Sequence, residues 1–331
     1  MKKIAVVILN WNGEKLLRTF LPSVIQFSQE ATIYVADNAS SDTSIEVLQN
    51  EFPSVKIIRN KGNYGFAKGY NVALKNIEEP YFALVNSDIE VTENWLKPIL
   101  FTFENSNEIA IIQPKILAYN NKEYFEYAGA AGGFIDKYGF PFCRGRIFET
   151  IEKDNSQYND ITEIFWASGA CFFIRKELFH KLNGFDEDFF AHQEEIDLCW
   201  RAFNEGYKTI YNYESLVYHV GGATLNAGSP QKTFLNFRNS LWMLTKNLPK
   251  NKLFPVLFLR LSLDGIATIR FLFQGNFKHI FSILKAHFYF YKHLFYFLSK
   301  RKNSHKENYF RTKSIINQYF IKKRGYFNEI I

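Results

Sequence analysis

Apolar and polar positions alternate in blocks along the first 105 residues. Four runs rich in branched and aromatic side chains, IAVVILN (4–10), TIYVADN (32–38), VKIIRN (55–60) and YFALVNSD (81–88), have the length and composition of buried strands. Between them, helical periodicity predicts helices over about 14–28, 42–51, 66–78 and 92–105. Strands alternating with helices imply a mainly parallel sheet flanked by helices on both faces, a Rossmann-like α/β class. Ligands of such sheets lie beyond the carboxyl ends of the strands. The four runs end in Asn10-Trp11-Asn12, Asp37-Asn38, Asn60 and Asn86-Ser87-Asp88. Any one ending is explained by the preference of Asn and Asp for turns and helix N-caps, but four on one edge favour a polar ligand site.

Beyond residue 105 the pattern loosens through the glycine-rich stretch YAGAAGGFIDKYGFP and a polar segment near 150–162. It sharpens again at 164–219, with a strand over about 164–174, short helices over about 176–182 and 194–205, and a strand over about 208–219. After a Gly/Ser/Pro loop the remainder reads as helical and aromatic. A boundary is therefore expected near 232, between an α/β domain (1–232) and a helical region (233–331).

Charge changes the picture more than composition does. The chain carries 40 Lys+Arg against 33 Asp+Glu, and all but three of the acids precede residue 215. The front is acidic and the back strongly basic. In residues 247–302 the single acid is Asp264, among many Lys, Arg, Phe and Tyr. Such helices are expected to lie on an anionic membrane surface; the alternatives are ordinary core packing or a homodimer contact. No nucleic-acid module accompanies the charge, so nucleic acid is not an expected partner. Three widely spaced cysteines, Cys143, Cys171 and Cys199, fit a reducing cytosol. The start is read as a strand rather than a signal peptide, and no stretch reaches the roughly 18 uncharged apolar residues of a membrane span.

The turn after the first run, NWNGEK, lacks the glycines of a dinucleotide-binding loop, and no Walker loop is present. A nucleotide would then be held by side chains. Asp37 offers an acceptor for the N3 proton of uracil or thymine, Trp11 a face for the base, and Asp88 a ligand for a divalent cation (Mg or Mn) bridging two phosphates.

These segments resemble family 2 glycosyltransferases, nucleotide-sugar-dependent enzymes of the GT-A fold. The resemblance runs in order through VVILNWNG, VADNASSDTS, NKGNYGFAKGYNVAL, LVNSDIEV, GACFFIRKELF, GFDEDFFAHQEEIDLCWR and VYHVGG. Within the family it is most similar to rhamnosyltransferase-like members that build bacterial surface polysaccharides. The resemblance implies that Trp11 and Asp37 hold the pyrimidine and that Asn60, Gly65 and Asn71 lie under the ribose and phosphates, with Asn10, Asn86 and Ser87 also counted among the nucleotide-binding residues. Asn86-Ser87-Asp88 stands where the family has D-x-D, so Asp88 would ligate the metal, and His219 would help hold metal or diphosphate. Glu195 falls on the family's catalytic base, with Glu194 as the alternative. On a helix Glu194, Asp197 and Arg201 share one face, whereas Glu195 points about 100° away. Trp166 and Gly169 are expected to line the donor and acceptor sugars, with Asp197 and Arg201 counted beside them; Trp166 is equally compatible with the core. The loop from Ala223 to Gln231 is expected to be a lid.

The resulting expectation is an inverting, metal-dependent transferase, peripheral on the inner face of the plasma membrane. It would pass a sugar from a UDP- or dTDP-sugar to a saccharide acceptor, expected to be lipid-linked. Its competitor is a GT-A module that binds sugar nucleotides without turnover.

Overall fold

The computed structural model describes residues 2–221, 228–302 and 304–331. Its front half winds β1 (Ile4–Asn10), α1 (Glu14–Phe27), β2 (Ala31–Asp37), α2 (Ser44–Glu51), β3 (Lys56–Arg59), α3 (Gly65–Leu74) and β4 (Tyr81–Asn86). Next come β5 (Ile89–Val91), α4 (Lys97–Asn105), the long β6 (Ile109–Ala118) and β7 (Asn121–Phe125). A small antiparallel sheet is made by β8 (Gly133–Ile135), β9 (Pro141–Cys143), β10 (Arg146–Ile147) and β11 (Thr150–Ile151). The chain then returns through β12 (Ile161–Ile164), β13 (Cys171–Arg175), α5 (Lys176–Lys181), α6 (Glu194–Asn204) and β14 (Lys208–His219). Three helices follow, α7 (Pro230–Asn247), α8 (Lys250–Phe273) and α9 (Phe277–Ser299).

The main sheet has the order β12-β14-β6-β13-β4-β1-β2-β3. β1 is apolar on both faces because it pairs in parallel with β2 and β4 and is covered on both sides. Its register pairs Asn10 with Asp37 and Leu9 with Asn86, so three of the polar endings emerge side by side. β13 runs antiparallel to both β4 and β6, which makes the sheet mixed.

Two differences from the sequence reading have clear causes. β6 crosses the centre of the sheet, yet its IAIIQPKILA contains Gln113, Pro114 and Lys115, which break the apolar run. Distant segments satisfy the two polar side chains: Gln113 donates to the carbonyls of Gly129 and Ala130, and Lys115 to Asp154 and Asn159. The single strand expected over 164–174 is two strands, because β12 lies beyond β14 whereas β13 lies between β6 and β4. The chain crosses over at 165–170.

Hydrophobic clusters occupy both faces of the sheet. Leu241, Met243 and Leu244 of α7, with Phe290 and Phe297 of α9, belong to the same cluster as Ala5, Val7 and Phe82 of the sheet. The boundary expected at 232 thus falls inside the first turn of α7, and the helical region shares the core of the α/β part.

Candidate active site

The polar strand endings form a bonded edge. Asn10 Nδ2 donates to Asp37 Oδ1 (3.0 Å) and Ser40 Oγ (3.2 Å), and Asp37 Oδ2 accepts the Ser40 N–H at 2.9 Å. Asn60 Nδ2 donates to Asn38 Oδ1 at 2.7 Å. These bonds fix the side chains while leaving Asn10 Oδ1 and Asn60 Oδ1 buried without a partner among the described residues. A Cβ on Gly13 would stand 2.3 Å from Asn10 Oδ1, so glycine leaves room for the Asn10 amide in this orientation. Trp11 remains 49% exposed beside this edge.

One strand further, Asp88 and His219 meet. β5 pairs with the end of β14 and sets His219 opposite Ile89. Asp88 Oδ1 lies 3.2 Å from His219 Nε2, and Asp88 Oδ2 accepts the Gly221 N–H at 3.2 Å. On the other side of the ring, Glu126 Oε1 lies 3.2 Å from Nδ1, and Glu126 Oε2 accepts the Ala128 N–H. All three side chains are buried. Burial opposes a charge on His219, but the flanking carboxylates of Asp88 and Glu126 outweigh it and lift its pKa to about 10. Nothing in the sequence pattern singles out Glu126, which follows β7 in the loosened stretch.

Asn86 and Ser87 are half-buried, and the Asn86 N–H donates to the carbonyl of Ala170 at 2.9 Å. That bond brings Gly169 to the same edge, and a Cβ there would sit 3.8 Å from the Glu195 carboxyl carbon. Glu195 and Glu194 open α6 with an unpartnered Oε2 each. Burial raises the pKa of Glu195 to about 7. Burial, with the charge of Glu195 beside it, raises Glu194 as well.

The segment before α6 is strained. Phe190, His192 and Gln193 have φ of 64°, 72° and 72°, a left-handed conformation that costs about 1–3 kcal/mol for each non-glycine residue. Asn239 of α7 clamps it by donating to the carbonyls of Phe189, Ala191 and His192 at 3.0, 2.9 and 2.7 Å. Arg238 adds bonds to the carbonyls of Asp188 and Phe189. The Phe190 carbonyl in turn accepts from Phe66 N and Ala67 N at the start of α3. The clamp leaves a run of four residues, 192–195, each with a buried polar atom lacking a partner among the described residues: His192 Nε2, Gln193 Oε1, Glu194 Oε2 and Glu195 Oε2. Burial lowers the His192 pKa to about 4, so at neutral pH its ring is uncharged. Native proteins pair nearly all such atoms, so a cluster of orphans at one sheet edge marks a place where a polar ligand completes the bonding.

Several expected site residues serve the scaffold instead. Asp197 is fully buried and accepts from Arg201 Nε (2.8 Å), Lys246 Nζ (2.9 Å) and Asn247 Nδ2 (2.8 Å), which leaves no room for a sugar. Arg201 also donates to the carbonyls of Leu182 and Gly184. Trp166 is buried over Gly133 and donates its Nε1–H to the carbonyl of Phe134 at 2.9 Å; it is core, since a Cβ at Gly133 would strike its ring. Asn71 spends both ends of its amide on the backbone of Phe185. Gly65, at φ 69°, makes room for Phe190, whose ring would meet a Cβ at 2.7 Å. The lid expected over Ala223 to Gln231 lies, through residue 227, outside the described residues.

The mixed, mainly parallel sheet flanked by helices is the GT-A fold, and its polar carboxyl edge carries an acidic strand tip facing a histidine and lies near the acid pair that opens α6. The crystal structure of GalNAc-T7 with UDP, GalNAc and Mn2+ matches it with a TM-score of 0.60 at 18% identity, covering 76% of this chain and 49% of that one. Mannosyltransferase PcManGT from Pyrobaculum calidifontis, in complex with GDP-Man and Mn2+, matches with a TM-score of 0.52 at 10% identity over 88% of this chain and 74% of that one.

The model of glycosyl transferase family 2 matches residues 5–182, more than half of the chain, and the chain belongs to that family. It is 21% identical to the low-salt glycan biosynthesis hexosyltransferase Agl10 of Haloferax volcanii, over 84% of this chain and 87% of the relative. Similarity extends to two rhamnosyltransferases, as expected from the motifs. One is N-acetylglucosaminyl-diphospho-decaprenol L-rhamnosyltransferase of Mycobacterium tuberculosis (20%, over 65% of this chain and 75% of the relative). The other is WbbL of Escherichia coli K12 (24%, over 63% and 80%).

Proposed function

We propose that this chain is an inverting glycosyltransferase of cell-surface glycan synthesis, transferring a hexosyl or deoxyhexosyl group from a UDP- or dTDP-sugar to a lipid-linked saccharide. The observation that carries the reading is Glu195: a carboxylate with a pKa near 7 and an unpartnered oxygen, set against Gly169 at the edge where the strand tips converge. A base poised near the working pH is what proton abstraction from a sugar hydroxyl requires. Glu195 takes that proton as the acceptor oxygen attacks the anomeric carbon from the side opposite the diphosphate, so the configuration inverts. Asp37 and Trp11 hold the base, and the neutral ring of His192 and the amide of Gln193 bond sugar hydroxyls.

The residues at the far end of the cleft fit a divalent cation. Asp88 and His219, whose Oδ1 and Nε2 stand 3.2 Å apart, would hold the ion, His219 giving up the proton that the flanking carboxylates otherwise keep on it. Among the described residues no group of three or more His, Cys, Asp or Glu side chains is arranged to hold a metal alone, so these two ligands would share it with diphosphate oxygens. When bound, such an ion supplies charge stabilisation for the departing diphosphate. Glu126 behind His219 holds the ring in orientation, the usual place for a carboxylate behind a ligating imidazole. Asn86 in place of a first acid lowers the charge offered to the cation.

No helix among the described residues is long and apolar enough to cross a membrane. The acceptor is reached from the cytoplasmic face, with the basic helices against the lipid. The test is transfer from a panel of UDP- and dTDP-sugars to a diphospholipid-linked saccharide, with and without EDTA. Metal-dependent turnover lost in Glu195→Gln, with donor binding retained, supports the reading. Tight sugar-nucleotide binding with no turnover on any acceptor would leave only a binding module.

A further inference from the structure

Helix α9 is apolar on two opposite sides. One side buries Ile283, Ala286, Phe290 and Phe297, with Phe297 stacked on Trp242 of α7 at 4.3 Å between ring centroids. The opposite side carries Phe277, Phe281, Leu284, Phe288, Tyr291 and Phe295, spaced alternately four and three residues apart and each 55–83% exposed. On a helix these six fall within an arc of about 80°. Lys278, Lys285 and Lys292 repeat every seven residues along one flank, roughly 60–100° round, and none is ion-paired among the described residues. The hairpin partner α8 adds exposed Phe254, Phe258 and Phe273, the last at the turn between the helices.

We propose that the outer stripe of α9, with its lysine flank and the tip of the α8–α9 hairpin, is the surface that lies on an anionic lipid bilayer. An unbroken apolar stripe of this length is more than a monomer surface ordinarily exposes. Charge decides what covers it. A coiled-coil seam with a second copy places acids opposite flanking lysines, but α9 contains no Asp or Glu, and the one acid of α8, Asp264, is buried against His287. Phosphate headgroups meet the lysines, while the rings enter the acyl boundary. The sequence predicts a basic aromatic region; the fold shows which of its aromatics are core and which form the docking face. This deepens the proposed function and rests on it only for the acceptor: α7, which clamps the strained segment ahead of Glu194, is the helix on which α9 packs. Two helix layers, each about 8–10 Å, then separate the lipid surface from the acid pair, a distance that the head of a lipid-linked saccharide spans.

The experiment is flotation of the full chain with vesicles of equal parts phosphatidylglycerol and phosphatidylcholine, and with phosphatidylcholine alone. The chain is expected to float with the anionic vesicles and not with the neutral ones. Phe281→Ser with Phe288→Ser lowers partitioning by roughly a hundredfold. Lys278→Glu, Lys285→Glu and Lys292→Glu together do so on the order of a hundredfold. Both variants keep the wild-type circular dichroism melting curve and the wild-type hydrolysis of donor in solution. Flotation without turnover on any donor would keep the docking surface and remove the transferase reading. Equal flotation of variants and wild type overturns the docking proposal. So does a chain that ignores both vesicles and is a dimer until Phe281 and Phe288 are replaced, because the stripe then belongs to a second copy.

Discussion

Two carboxylates on α6, two residues apart, live in opposite electrostatic worlds. Asp197 is buried among Lys246, Arg201 and Asn247; burial alone would raise its pKa, yet the two cations hold it below the ordinary value. Glu195 is desolvated without a cation, and its pKa rises to about 7. Cations beside Asp197 keep it charged, whereas Glu195 has only backbone N–H bonds to set against its desolvation, so the presence or absence of a cation separates two carboxylates on one helix. The satisfied side anchors α7, and α7 in turn clamps the strained segment that presents the unsatisfied side.

That contrast breaks most sharply at Glu195. Replacing it with Gln is expected to lower the transfer rate by about 10²–10⁴-fold with little change in donor affinity, read by steady-state kinetics and calorimetric titration. An active Glu195→Gln enzyme would move the base to Glu194. Asp197→Ala should do the reverse, removing one partner of a buried cluster and costing about 3–5 kcal/mol of stability in urea unfolding. Asn239→Ala removes the clamp on 189–192; about 1–3 kcal/mol is expected, together with a slower turnover, because the strained segment relaxes. A variant that loses stability but keeps kcat would show that the strain has no part in the site.

The smallest effect is the pH profile. In the proposed mechanism Glu195 works deprotonated, and its proton is held below about pH 7. The rate therefore rises tenfold per pH unit on the acid side and levels above that value. In Glu195→Gln the residual rate should lose this limb. The same limb surviving in the variant would assign it to another group.

Much of the front half was legible because parallel central strands are apolar throughout and end abruptly in polar residues. Asp88 and His219 were readable as a pair only through motif order, since 130 residues separate them and their proximity depends on β5 pairing with β14. Glu126, Arg238, Asn239 and Lys246 left no signal: each lies in a stretch whose pattern reports loop or amphipathic helix, and each acts on a segment far away in sequence. Trp166, Asn71, Asp197 and Arg201 failed in the other direction. Their residue types suit ligands and scaffolds equally, and only the partners they find in the fold distinguish the two.

The sequence by itself determined the class of sheet, the polar endings that its central strands share, and the acidic front and basic back. These follow from periodicity and local chemistry, which neighbours along the chain carry. The tertiary structure decided which carboxylates are satisfied, which are left desolvated, and which aromatics face outward. Burial and hydrogen-bond partnership are set by segments brought together across the sheet, and no local pattern encodes them.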